Sequence, residues 1–145
     1  MKRDKYDTIF SNLIREMYDY TCCNCSRNLR SNSAGLHCSH FFGRRKQSVR
    51  YDLDNALAHC IYCHRILGEN PVDFYDHYVK VKGIGCLELL RERANKLKKW
   101  EKASKKTGYK GEKEDMYKHY KKEYEKVLDM RKEGVVGYIE CVNWS

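Results

Sequence analysis

The chain is 145 residues long, the size of one domain, and 34% of it is charged. With a mean hydropathy of −0.84 and no run approaching roughly 20 apolar residues, a membrane-spanning bundle is excluded. The net charge of +9 and isoelectric point of 9.1 favour a polyanionic partner, nucleic acid ahead of an anionic membrane.

The opening MKRDKYDTIF carries charge without an apolar run, so no secretory signal is expected and a cytoplasmic location follows. Tyr6, Ile9, Phe10, Leu13, Ile14 and Met17 recur at helical spacing and predict an amphipathic helix over residues 5–19. TCCNCSRNLRSNSAG reads as a cysteine knuckle and loop, LHCSHFF as a strand, VRYDLDNALAHC as a short extended piece or turn, and IYCHRILG as the start of a helix. In ENPVD, Pro71 suits a first helical position with Asn70 as N-cap; Phe74, Tyr75, Tyr78 and Val79 then form the expected buried face of a helix over 71–82. Gly83 and Gly85 interrupt the pattern, and Leu87, Leu90, Ala94 and Leu97 predict a helix to about residue 104. KKTGYKGEK is a polar hinge. Beyond it Met116, Tyr120, Tyr124 and Val127 mark a further amphipathic helix, expected to pair antiparallel with the preceding one. VVGYIECVNWS admits either a short strand or a tail, docked or loose.

A small chain with a thin core needs a staple, and eight cysteines supply one. In a reducing compartment, paired CxxC elements favour zinc over disulfides. Cys22–Cys25 and Cys60–Cys63 each present two thiolates, which suits one tetrahedral Zn²⁺. Cys23 lacks the two-residue spacer. Cys38, Cys86 and Cys141 are expected to be small apolar packers. Such a four-thiolate site has no open position, so its role is structural and any chemistry lies in the loop it closes.

That loop holds His37, His40, Asn55 and His59, with His64 directly after the second knuckle. Together, CSHF, the basic run to RYDLDN, CIYCH and the later GENP resemble an HNH endonuclease of the ββα-metal type, more narrowly the NinG/Rap recombination proteins of lambda-like phages. The resemblance covers about residues 20–80. It implies an α+β fold: a zinc-stapled ββα-metal core with an N-terminal helix over residues 1–85, and a charged helical extension over 86–145. The extension is either part of the same compact unit or a dimerisation arm. It further implies metal-dependent hydrolysis of DNA phosphodiesters, leaving 5′-phosphate and 3′-hydroxyl ends on branched recombination intermediates such as Holliday junctions or D-loops, and a homodimer.

By the same resemblance His40 is the general base, since an imidazole can take a proton from water near neutral pH. His64 is a ligand of a catalytic Mg²⁺ or Mn²⁺. Asn55 either braces the loop that orients His40 or touches the metal. The chain departs from the family at two points. Ser39 stands where many HNH enzymes have an acidic ligand, and His37 where NinG has an Asp. A His37–His64 pair is a softer donor set than carboxylate plus histidine and favours Mn²⁺, Ni²⁺ or Zn²⁺ over Mg²⁺. Asp52 or Asp54 would otherwise supply an oxygen, although a turn-capping role is their usual one. His59 is expected to be exposed or to touch phosphate, and His77 and His119 to be ordinary surface residues. Arg44, Arg45, Lys46 and Arg50 form an acid-free run expected to contact the DNA backbone. The alternative to an enzyme is a zinc module that binds DNA without cutting it; an HNH nuclease acting on ordinary duplex is a third reading.

Overall fold

The computed structural model describes residues 2–145. The first helix, α1 (Lys5–Met17), starts with a reciprocal cap: the Asp4 carboxylate accepts from the first-turn amides while Asp7 reaches back to the Asp4 N–H. Two strands, β1 (Leu36–His40) and β2 (Ala56–Cys60), form an antiparallel hairpin pairing Leu36 with Cys60 and His40 with Ala56. Helix α2 (Ile61–Glu69) follows without a break, and α3 (Pro71–Lys82), α4 (Ile84–Ala94) and α5 (Glu112–Lys132) complete a small α+β domain.

Strand alternation divides the core in two. Leu36, Ala56, Ala58 and Cys60 join Ile9, Leu13, Ile14 and Met17 of α1 with Met116, Tyr120 and Val127 of α5. Leu57, on the other face, packs with Val49, Phe74, Tyr78, Leu87 and Leu90. The hairpin therefore lies between an α1/α5 layer and an α3/α4 layer.

Three sequence expectations are corrected. The last two helices do not pair with each other, because the apolar stripe of α5 is taken up by α1. Helix α4 ends at Ala94 rather than near 104: Leu97 finds no packing partner and is fully exposed, while Trp100 folds back onto Tyr51 and Trp144. Tyr75, expected on the buried face of α3, is exposed. The C-terminal segment contains no strand and is docked. Ile139 N–H donates to Met17 C=O at 2.8 Å, and the Asn143 side chain bridges Leu53 N–H, Asp52 and the Tyr120 hydroxyl.

Candidate metal centre and adjoining cleft

The Cys22–Cys25 knuckle follows α1 and is closed by a Thr21–Asn28 bridge, with Ser26 in left-handed conformation at φ +65°. Cys60 ends β2 and Cys63 sits in the first turn of α2, where its N–H donates to Cys60 Sγ. The four sulfurs lie within 4.8 Å of one another, and Cys25 and Cys60 are 3.8 Å apart. Four sulfurs about 2.3 Å from a central Zn²⁺ stand about 3.8 Å apart at the corners of a tetrahedron. The arrangement can hold a metal ion such as zinc. Asn24 donates a side-chain N–H to Cys63 Sγ at 3.3 Å, as a thiolate needs. Burial raises the Cys60 thiol, but hydrogen bonds led by the Cys63 N–H outweigh it and bring it down to about 7. Cys23 points away, and burial pushes its thiol up to about 12.

Beside this centre an open cleft of about 400 Å³ is lined by β1, the start of α2, the loop after β1 and one face of α1. His37, His40 and His64 all border it. His37 and His64 approach with their Nδ1 atoms 2.9 Å apart. Two nitrogens each about 2.1 Å from one divalent ion and at a right angle stand about 3 Å apart, so the pair fits two positions of an octahedral ion. His40 stacks on Phe10 at 5.8 Å and hydrogen-bonds the Arg50 backbone carbonyl. Burial pushes its pKa down to about 4, so the ring is neutral near pH 7 with its second nitrogen left to accept a proton.

Asn55 does not enter the cleft. Fully buried, it accepts from Phe42 N–H at 2.7 Å and donates to the carbonyls of Phe42 and Val49. It ties together both ends of the loop whose last carbonyl holds His40. Asp52 caps the turn before Asn55, accepting from Asp54 N–H at 3.0 Å, and the two carboxylates are paired by Arg93 at 2.6 and 2.8 Å.

Of the basic run, Arg45 and Lys46 are exposed and Arg44 borders the cleft. Arg50 is corrected. Only 6% exposed, it grips Asp7 with two nitrogens, at 2.8 and 3.2 Å, and is a fold-holding residue instead of a phosphate contact. His59 and His77 are also corrected: both are buried, joined Nε2 to Nε2 at 2.8 Å beside Phe74. Strand alternation turns His59 into the α3 layer. His119 Nε2 donates to the Val142 carbonyl at 2.7 Å.

Sequence reasoning missed the contribution of α1. Arg3, Asp7, Ser11 and Arg15 recur every fourth residue and all border the cleft. That polar stripe beside the apolar one was the available signal. No family model, no curated protein and no solved structure matches the chain. Among the described residues, no helix is long and apolar enough to cross a membrane.

Proposed function

We propose that the protein is a metal-dependent DNA endonuclease of the HNH type, its core stapled by Zn²⁺ on Cys22, Cys25, Cys60 and Cys63, acting on branched recombination intermediates. The observation that carries this reading is the meeting of His37, His40 and His64 in one arginine-bordered cleft where hairpin and helix join. His40 takes the proton of the attacking water through the nitrogen not engaged by Arg50. Phe10 and the Asn55-braced loop keep its ring in place. Arg44, Arg3 and Arg15 hold the phosphodiester, and Arg45 and Lys46 contact the flanking backbone. His37 and His64 would hold a divalent cation, which would supply Lewis-acid stabilisation of the phosphate and of the departing 3′ oxygen.

The test is cleavage of a synthetic four-way junction, a linear duplex and supercoiled plasmid by zinc-loaded protein with Mg²⁺ or Mn²⁺. The junction is expected to be cut in preference, and His40→Ala to abolish cutting while zinc content and a cooperative thermal transition are kept. One observation favours a second reading, a zinc module that binds DNA without cutting it: Ser39 is buried and offers the cleft no carboxylate. Equal DNA binding by wild type and variant, with no cleavage under any divalent ion, decides for that module.

A further inference from the structure

Positive side chains outnumber negative ones along the lining of the cleft. Arg3, Arg15 and Arg44 border it. Asp7 is the only carboxylate among its described lining residues, and it is already held by Arg50 at 2.8 Å and stands 3.6 Å from Arg44. Arg15 is fixed in place, its Nε donating to the Leu36 carbonyl at 2.8 Å and one terminal nitrogen to Asn12 at 3.2 Å. The imidazoles of His37 and His64 ligate as neutral groups and bring no negative charge. A hard divalent cation entering this cleft alone would meet two neutral nitrogens and a field of guanidinium groups. A carboxylate-bearing site has no such deficit.

We propose that the cleft takes up its divalent cation together with a phosphate anion, not ahead of it: His37 and His64 supply two nitrogens, and phosphate oxygens held by Arg3 and Arg15 supply the missing charge. This rests on the nuclease reading for the identity of the anion, a DNA phosphodiester. Coupling of this kind is reciprocal, so the cation also tightens DNA binding by the same factor. The role that an acidic ligand plays elsewhere passes to the substrate, and free protein remains poorly loaded.

The experiment uses the zinc-loaded full chain carrying His40→Ala, so that DNA is not consumed. Mn²⁺ binding is followed by loss of the free-ion electron paramagnetic resonance signal, with and without a short duplex oligonucleotide. Expected is a tightening of at least about tenfold with the duplex, absent when His37→Ala and His64→Ala are added. Adding His37→Asp instead supplies the carboxylate, so Mn²⁺ binds without DNA and the tightening shrinks. Equal Mn²⁺ affinity with and without duplex overturns the proposal, as does no binding in either case. Tightening that survives removal of both histidines, or is undiminished by His37→Asp, overturns it too. Plasmid nicking by the wild type is scored in parallel: nicking without coupling defeats only this proposal, and no nicking under any ion defeats the nuclease reading.

Discussion

Ser26 shows how a single backbone angle is set by a neighbour's chemistry. Its N–H donates to the Cys22 carbonyl at 3.0 Å and its φ of +65° turns the chain back so that Cys22 and Cys25 face one point. The side chain is exposed, so Ser26→Gly is expected to stabilise the metal-loaded protein by about 0.5–1 kcal/mol, read as a rise in thermal midpoint. Asp7 is the opposite case, a side chain on which several groups depend. Burial raises its carboxyl, and the Arg50 guanidinium outweighs that and holds it below the usual range. Asp7→Ala leaves Arg50 buried without its main counter-charge and is expected to cost about 3–5 kcal/mol in urea unfolding. His40 sets a pH dependence. Its folded pKa, about 4, lies below the ordinary value of 6.5 because burial disfavours the cation. Its contribution is therefore fully present above about pH 6.5 and is lost as pH falls toward 4. Asp7, Arg44 and Arg50 surround it, and their charges partly offset one another. His40→Gln should flatten the stability curve between those pH values; an unchanged slope there would show that the ring titrates normally. The candidate ligands and His40 were legible because cysteine spacing and histidine clustering are local patterns. Arg50 was not, since nothing in RYDLDN signals that Asp7, far back in the chain, claims its guanidinium.

At the scale of elements, legibility followed punctuation. Helix α3 begins at Pro71 and stops before Gly83, whose φ of +90° suits only a residue without Cβ, and both bounds could be read directly. Helix α4 has no such stop, and the apolar period alone ran past its end at Ala94. The partner of α5 was illegible for another reason: an apolar stripe shows that a helix is covered, not by what. Here specificity comes from side chains distant in sequence. Buried Glu16 on α1 receives Arg30 at 2.7 Å and Arg131 of α5 at 3.2 Å, and the Tyr120 hydroxyl donates to the Tyr51 carbonyl at 2.5 Å. Tyr120 also gathers the tail, accepting from Trp144 N–H at 3.2 Å while lying 2.8 Å from Asn143 Oδ1. Tyr120→Phe keeps the ring and removes this junction. It is expected to lower stability by about 1–3 kcal/mol, seen as a lower urea midpoint at unchanged slope, and to expose the tail to proteolysis. A midpoint equal to that of wild type would mean the tail is held by Ile139 and the Trp100–Trp144 stack alone.

For the molecule as a whole, the four cysteines join segments that little else would hold in register. Cys22 and Cys25 belong to the turn after α1, Cys60 and Cys63 to the junction of β2 with α2, and Cys22, Cys60 and Cys63 are themselves members of the α1/α5 core. A two-stranded sheet is marginal by itself, and this one carries on its two faces both halves of a thin core. A metal ion held at this point would therefore be coupled to folding of the entire chain, with an apparent contribution on the order of 10 kcal/mol at neutral pH. Stripping the ion with a strong chelator is expected to release one Zn²⁺ per chain, make all eight cysteine thiols reactive and abolish the cooperative thermal transition, helices included. Cys63→Ser should reproduce that state without chelator, because loss of one thiolate opens the tetrahedron. Acid acts by the same route: protons compete with the ion for the thiolates, so metal retention falls as pH is lowered even before His40 titrates. If the chelated protein instead keeps its helical circular dichroism and a sharp transition, the two hydrophobic clusters suffice, and the cysteines would be arranged for something other than holding the fold.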